Sequence, residues 1–300
     1  MENRRLDIEY HYDRFISGIN DRCRESLDYI DKTYSEKDEF YRVNTFSKNL
    51  VSLVTGKSNL GVLIRLIASV DSFMELDNSL NLAFSFQYKS AFDSLRRALE
   101  ITILGVYYDL VENDYEKITN WINSQVNAPY FSGMIQRIII VDKFKDLNEK
   151  FKWDNEIKHL YWKLSDYSHT KGFAKSITEL NKVNYSETTK INSTSLNEFL
   201  NNYIETIQNI AVVCSVNHPI LLVGLPTTEK FGFNSPLGLF NDSQSENLKN
   251  IIPSRYKAYF DNLVKMDVSI KIKEDSIAKM PVSENYIKIQ DSLKKNKNAL

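Results

Sequence analysis

The end of one amphipathic segment carries the side chains best suited to chemistry in this chain. His169 lies three residues after Asp166 and six after Lys163. A histidine can serve as general acid or base near neutral pH, a carboxylate one turn away can orient its ring, and an ammonium group can hold a phosphate. These three residues are therefore candidate catalytic residues, and Ser165 is a candidate substrate-binding residue. The alternative is structural, because a histidine at a helix C-terminus is stabilised by the helix dipole and can bond the last carbonyl groups.

A second group of candidate residues lies on the polar side of an apolar segment. Arg96 and Arg97 are adjacent, and Glu100 follows about one turn later. Neighbouring guanidinium groups present forked donors that match phosphate or carboxylate oxygens, so these three residues are predicted to bind substrate. The spacing also permits ion pairs between Asp93 and Arg97 and between Arg96 and Glu100. In that case the charges only stabilise and solvate their helix.

Other catalytic signatures are absent from the sequence. No HExxH, GxSxG or GxGxxG motif occurs, and Val51 stands where a phosphate-binding loop ending near Gly56 would need a glycine. Cys23 and Cys214 are far apart in the sequence and have no CxxC partner or histidine cluster. We therefore expect no disulfide and no zinc site. The sequence predicts neither a metal nor a cofactor.

Two amphipathic helices must position the candidate residues. Apolar side chains recur every three or four residues from Tyr88 to Leu110, and the second half of this segment is apolar nearly all round. This pattern predicts the buried centre of the fold. The same spacing begins near Asp154, and Gly172 supplies a C-terminal stop. His169 is thus predicted in the last turn of its helix.

Further amphipathic segments predict a bundle around these two helices. Helices are expected from Ile8 to Ile30, from Glu36 to Val54, from Ser58 to Glu75, from Asn113 to Ile122, from Ser132 to Val141 and from Ser195 to about Pro219. Capping boxes are predicted at Asn113 with Glu116 and at Ser195 with Glu198. The chain has only six Pro and nine Gly, mostly between the periodic segments, which favours long helices over a turn-rich β architecture.

The predicted class is all-α, a multi-helix bundle of long amphipathic helices. It leaves room for at most one short strand pair near Val268 to Ile272. With 300 residues, of which 42% are hydrophobic, the chain can bury a sizeable core. We expect a helical-bundle domain over residues 1–225. Residues 226–300 begin with a connection that contains Gly, Pro and Asn, and a short helix and a tail of uncertain structure follow.

Charge and hydropathy exclude several classes of partner. Basic and acidic residues nearly balance at a net charge of −1, whereas proteins that bind duplex DNA normally present a strongly basic face. The longest apolar run, Leu60 to Val70, contains Arg65 and is about half of the ~20 residues needed to span a bilayer. The N-terminus mixes both charges and lacks the apolar stretch of a signal peptide. We therefore expect no duplex DNA partner, no membrane and a cytoplasmic location.

Several motifs together resemble a known group of proteins. They are the run AFDSLRRALE ending at Glu100, DYE at residues 114–116 with Trp121, PYFS at residues 129–132, and LSDYSHT ending at Thr170. This combination resembles uncharacterised bacterial helical proteins with an LRrxLE helix and a later LSxYxHxxG helix end. Some of those are similar to HEPN domains, the helical bundles of toxin and antiviral ribonucleases. The similarity spans roughly residues 85–172. HEPN ribonucleases cleave RNA with an Arg and a nearby His contributed by both copies of a dimer, and the resemblance puts Lys163 and His169 at these positions.

Three functions follow from these patterns. The leading hypothesis is a HEPN-like protein that binds or cleaves RNA in a bacterial conflict or phage-defence setting. His169 would be its acid or base, and Lys163 and Arg96 would hold phosphate. The first alternative is a non-enzymatic interaction module that forms a homodimer or docks a partner. The second is a sensor that binds a small ligand in an apolar pocket around Tyr107 and Tyr108.

Overall fold

The structure is a computed structural model, and it describes residues 2–34, 39–52, 59–112, 114–169, 171–172, 175–176, 180, 191–232 and 239–297. Fourteen α-helices and short 3-10 turns form the regular structure of these ranges, which contain no strand. The predicted all-α class is therefore confirmed. None of the described helices is both long enough and apolar enough to cross a bilayer.

The helices follow one another along the chain with mostly short connections. The first seven are α1 (Glu2–Thr33), α2 (Glu39–Asn49), α3 (Asn59–Phe84), α4 (Tyr88–Leu110), α5 (Tyr115–Ile122), α6 (Phe131–Ile138) and α7 (Asp142–Phe151). The other described helices are α8 (Trp153–Ser168), α9 (Ser193–Asn217), α10 (Thr227–Phe231), α11 (Asp242–Ile251), α12 (Lys257–Met266), α13 (Val268–Ala278) and α14 (Glu284–Lys297). Short 3-10 turns lie at Leu50–Ser52, Pro219–Leu222 and Ser254–Tyr256.

Helices α3 and α4 form the central antiparallel pair of the fold. The buried Ser72 hydroxyl of α3 lies 3.2 Å from Ala98 O and 2.9 Å from Thr102 Oγ1 of α4. Further along α3, Asn78 Nδ2 donates to Ser94 Oγ at 3.0 Å. As residue numbers rise along α3, those of the residues that it contacts on α4 fall, so the two helices run antiparallel.

Gly105 allows α3 and α4 to approach each other closely. A Cβ atom at residue 105 would lie 2.6 Å from Ala68 Cβ. We expect Gly105→Ala to lower the free energy of unfolding by about 1–2 kcal/mol, because overpacking outweighs the gain in helix propensity. Gly133 in α6 is the matched control, since nothing lies within 4 Å of its Cβ position. Gly133→Ala should stabilise by about 0.5–1 kcal/mol. Urea denaturation measures both values, and stabilisation by Gly105→Ala would contradict the close approach.

Aromatic side chains join α8 and α9 to α4. Phe92 of α4 stacks on Tyr167 of α8, with ring centroids 3.7 Å apart, and meets Phe199 of α9 edge to face at 5.7 Å. All three side chains are fully buried. Phe131 of α6 stacks on Tyr161 of α8 at 4.0 Å. These contacts hold α8, and the candidate residues on it, against α4.

The two helices predicted to position the candidate residues are confirmed. Helix α4 has the predicted bounds, and α8 begins one residue before the predicted start and ends at Ser168. His169 follows the last helical residue, and its backbone N–H donates to Ser165 O at 2.9 Å. Gly172 has a φ of 82°, the left-handed conformation that suits a glycine after a helix.

Helices α1 to α3 lie where helices were predicted, with shifted ends. Helix α1 encloses the predicted range, whereas α3 continues past Glu75 to Phe84. Its apolar spacing persists through three further buried residues, Leu76, Leu80 and Ala83. The predicted helix ends Glu36 and Val54 and the predicted cap Ser58 lie outside the described residues.

Helices α5 and α9 begin at other caps than the predicted ones. The Asp114 carboxylate accepts from backbone N–H groups in the first turn of α5, and Asn113 lies outside the described residues. Asn192 Oδ1 caps α9 by accepting from Ser195 N at 3.2 Å. The Ser195 hydroxyl instead donates to Leu180 O at 2.5 Å. The sequence pattern assigned the Ser195 hydroxyl to the helix cap, but in the structure this hydroxyl bonds a residue outside the helix.

The strand pair predicted near Val268 to Ile272 is wrong, because these residues form the start of α13. Val268, Ile270 and Ile272 alternate with polar residues, a spacing typical of a strand. In the structure, the Asp267 side chain caps the helix by accepting from a backbone N–H of its first turn. Ile270 and Ile277, two turns apart, are buried, whereas Val268 and Ile272 are exposed. The alternating residues 268–272 are therefore the first part of α13, which buries only a narrow stripe of its surface.

Side chains of the C-terminal segment share a core with the preceding helices. The main buried cluster, which contains residues of α2, α4, α8 and α9, also includes Phe240, Leu248, Ile251, Tyr256 and Phe260. A smaller cluster consists of Ile220, Leu225, Leu239, Ile270 and Ile277. The division into a domain of residues 1–225 and a segment of residues 226–300 stays a prediction.

Candidate functional site

His169 lies at the C-terminal end of α8 with its imidazole exposed to solvent. Within the described part of the chain, this imidazole forms no hydrogen bond. A general acid or base needs a fixed orientation towards the proton that it moves. The ring is accessible to a ligand, but no described side chain orients it.

The neighbouring polar residues of α8 point to other partners. The Asp166 carboxylate lies 3.3 Å from Lys171 Nζ, an exposed pair that contributes little to stability. Lys163 Nζ lies 3.1 Å from Glu205 Oε2 on α9. No described hydrogen bond or ion pair therefore joins the three candidate catalytic side chains.

Ser165 forms part of the helix rather than of an open site. Its side chain is buried, and its hydroxyl donates to Tyr161 O, one turn earlier, at 2.9 Å. This is the local bond that serine often makes inside a helix. The hydroxyl is thus already bonded and covered from solvent.

Asp93 joins the end of α8 to the arginine pair of α4. Ser168 Oγ donates to Asp93 Oδ1 at 2.6 Å. The same carboxylate accepts from Arg97 Nη1 and lies 3.3 Å from Arg96 Nη2. His169 is the next residue after Ser168, so this hydrogen bond holds the histidine near the arginine pair.

A bridge to α3 occupies the other side of Arg97. Its Nε and Nη2 donate to the two carboxylate oxygens of Glu75 at 2.8 Å and 3.1 Å. Hydrogen bonding to Glu75 is the largest effect that raises the pKa of Arg97. On α3, burial raises the pKa of the Asp71 carboxyl, and the negative charge of Glu75 raises it further by a smaller amount. Glu75, Asp93, Arg96, Arg97 and Ser168 together are called the arginine cluster.

Arg96 also contacts the aromatic face of α8. Its Nη1 lies 3.4 Å from the Tyr161 hydroxyl, and its guanidinium carbon lies 5.9 Å from the centre of the ring. Burial, and then the charge of Glu100, raises the pKa of Tyr161, whereas Arg96 opposes this shift. The ion pair predicted between Arg96 and Glu100 is not formed, because Arg96 pairs with Asp93 on the preceding turn. Arg97 and Asp93 do form the predicted pair.

A second polar cluster was missed by the sequence analysis. The hydroxyl of the fully buried Tyr167 donates to Glu198 of α9, and Lys175 Nζ lies 2.6 Å from that hydroxyl and 3.1 Å from Glu198 Oε1. The ammonium also lies 3.8 Å from the centre of the tyrosine ring. Burial, and then the hydrogen bond to Glu198, raises the pKa of Tyr167. No spacing rule could connect these three residues, because they come from separate segments.

Protein side chains fill the space around Tyr107 and Tyr108, where a ligand pocket was predicted. The two tyrosines are only 2% and 6% exposed. Arg137 donates to the Tyr107 hydroxyl, and the rings of Tyr108 and Trp121 lie 5.1 Å apart. This packing gives the residues a role in the core.

Comparison of the chain with protein families, with curated proteins and with solved structures finds no match in any of the three. Among the residues that the structure describes, no group of three His, Cys, Asp or Glu side chains is arranged to hold a metal ion. The HEPN resemblance therefore rests on the sequence motifs alone.

Proposed function

We propose that this protein is a cytoplasmic helical binding module without catalytic activity, and that the candidate residues stabilise its helix contacts. The carrying observation is that, in the described part of the chain, no side-chain hydrogen bond or ion pair joins any two of these residues. The candidates are His169, Asp166, Lys163, Arg96, Arg97, Glu100 and Ser165. Catalysis by a composite site needs its groups within hydrogen-bonding reach of one reacting centre.

The charge of the arginine cluster also supports a structural role. Its two guanidinium groups pair with two carboxylates, those of Glu75 and Asp93. An RNA phosphate would have to displace these carboxylates, which electrostatics disfavours. The cluster is better suited to joining α3, α4 and α8 than to binding an anion.

Exposed apolar side chains support a binding role for the protein. Met266, Val268 and Ile272, near the junction of α12 and α13, are 81%, 71% and 65% exposed. Large apolar side chains that are exposed close together in the sequence are typical of surfaces that contact a partner.

A ribonuclease assay tests the absence of catalysis. Purified full-length protein and the His169→Ala variant are incubated with single-stranded and hairpin RNA, and the products are separated by gel electrophoresis. We expect both proteins to leave the RNA intact, and the variant to melt at the wild-type temperature because the imidazole makes no described contact. RNA cleavage by the wild type that is lost in His169→Ala would overturn the proposal.

RNA cleavage in a bacterial conflict or phage-defence setting is the second candidate function. The observation that favours it is the hydrogen bond from Ser168 to Asp93, which keeps the accessible His169 beside Arg96 and Arg97. In a homodimer, two such helix ends would supply the acid and the base. Loss of cleavage in both His169→Ala and Arg96→Ala, with unchanged melting temperatures, is the result that this candidate requires.

A further inference from the structure

A groove with a basic rim lies on the C-terminal side of the fold, outside the candidate site. It has a volume of about 280 Å³ and lies between the 3-10 turn Pro219–Leu222, the end of α11 and helix α12. Four apolar side chains form its floor, namely Leu222, Ile252, Phe260 and Val264. The first three are almost fully buried and Val264 is partly exposed, so the groove is concave rather than a protruding apolar patch.

Three exposed lysines surround this floor. Lys249 lies in the last turn of α11, and Lys257 and Lys265 lie at the two ends of α12. Within the described part of the chain, none of the three has a carboxylate at ion-pair distance. Several lysines elsewhere in the fold do have one, as Lys158 Nζ does at 2.9 Å from Asp154 Oδ2. The rim thus carries cationic charge that the fold does not neutralise.

One acidic residue lines the groove beside the lysines. Asp261 lies on α12 one turn after Lys257 and one turn before Lys265. This arrangement leaves a net excess of positive charge around an apolar floor. A ligand that matches both features needs an anionic group attached to an apolar body.

We infer that this groove binds a small single-chain amphiphile with an anionic head group, such as a medium-chain carboxylate. The lysines would hold the head group, and the chain would lie along Phe260 and Val264. The volume is slightly below the range of roughly 300–1,000 Å³ of most ligand pockets, which favours a chain of about ten carbons. A bilayer is a poorer match for this groove because the apolar floor is recessed, whereas membrane contact needs apolar side chains that project from the surface. The inference rests on the proposed binding function and names its ligand class.

Calorimetric titration of the full-length protein with decanoate, below its micellar concentration, tests the inference. Decyltrimethylammonium has the same chain with the opposite charge and is the ligand control. We expect decanoate to bind and to raise the melting temperature with concentration, and the cationic analogue to do neither. Anionic phospholipid vesicles form a third arm, in which no binding is expected.

Matched lysine variants assign the binding to the groove. The variant K249Q/K257Q/K265Q should weaken decanoate binding about tenfold or more, since each exposed charge contributes modestly. The control K271Q/K279Q/K288Q removes the same charge from exposed positions outside the groove and should bind like the wild type. Val264→Asp should abolish binding by placing a carboxylate in the floor. Unchanged melting temperatures without ligand show that the variants are folded.

Three results would overturn the inference: absence of decanoate binding, equal binding of the cationic analogue, or equal affinity of the two lysine variants. Binding to vesicles but not to decanoate would assign the basic rim to a membrane surface and would also overturn it. If decanoate fails to bind while RNA stays intact in the ribonuclease assay, only the groove inference fails. RNA cleavage that depends on His169 would overturn the proposed function, whatever ligand the groove binds.

Discussion

Replacement of Phe92 by alanine should lower the free energy of unfolding by about 3–5 kcal/mol. The ring is fully buried and contacts both Tyr167 of α8 and Phe199 of α9. Removing it leaves a cavity at the point where three helices meet and deletes two aromatic contacts. Chemical denaturation monitored by circular dichroism measures the change.

Phe92→Leu separates the loss of volume from the loss of the aromatic contacts. Leucine fills most of the cavity, so this variant should cost only about 1–2 kcal/mol. A loss below about 1 kcal/mol for Phe92→Ala would contradict the packing of α8 and α9 on α4. Such a result would also remove the support that α8 gives to the candidate site.

Alkaline unfolding should begin just above pH 10 and be complete before pH 12. Burial raises the pKa of several tyrosines, namely Tyr88, Tyr108, Tyr167, Tyr203, Tyr256 and Tyr259. For Tyr108, Tyr256 and Tyr259, it raises the pKa from 10.0 to about 12. The folded state keeps these phenols protonated at a pH at which the unfolded chain releases the protons. Their contribution is therefore fully present below pH 10 and is lost as the pH rises towards 12.

The size of this effect is large compared with the stability of a typical domain. Each such tyrosine costs up to about 1.4 kcal/mol per pH unit above its unfolded pKa, so three of them cost on the order of 8 kcal/mol over two units. Most domains have a free energy of unfolding of only about 5–15 kcal/mol. Circular dichroism recorded in a pH titration should therefore show the loss of the folded state between pH 10 and pH 12.

Two tyrosine variants control the alkaline titration. Tyr88→Phe should raise the midpoint, with little effect at neutral pH, because the buried Tyr88 hydroxyl has no hydrogen-bond partner in the described part of the chain. Tyr130→Phe should leave the midpoint unchanged, because Tyr130 is 90% exposed. An alkaline midpoint that is the same in Tyr88→Phe as in the wild type would contradict the expectation.

Local patterns in the sequence predict the helices well and their tertiary partners poorly. Helix α4 was predicted with the correct bounds because its apolar spacing is regular over its whole length. The run from Val268 to Ile272 is too short to distinguish a period of two from the stripe of a helix, and the strand prediction failed there. A short run acquires its structure from the elements against which it packs.

The candidate site shows the same limit. The pair between Asp93 and Arg97 could be predicted, since both residues lie one turn apart on one helix. The bond from Ser168 to Asp93 spans 75 residues of sequence, and that from Lys163 to Glu205 spans 42. Such contacts depend on the packing of separate helices, which spacing does not encode. Polar residues on one helix were therefore grouped as a site, although they point to different neighbours.

The buried hydroxyl groups between α3 and α4 restrict how this protein can change shape. Sliding one helix by a single turn, about 5.4 Å, would carry Ser72 away from its partners on α4. The Ser72 hydroxyl left without a partner would cost about 1–3 kcal/mol in an apolar interior, whereas Thr102 would keep its bond to Ala98 O of its own helix. The bonds of Ser72 oppose sliding of α3 along α4, so we expect the two helices to move together as one rigid body. We therefore expect a conformational change in this protein to move the other helices relative to the pair α3 and α4.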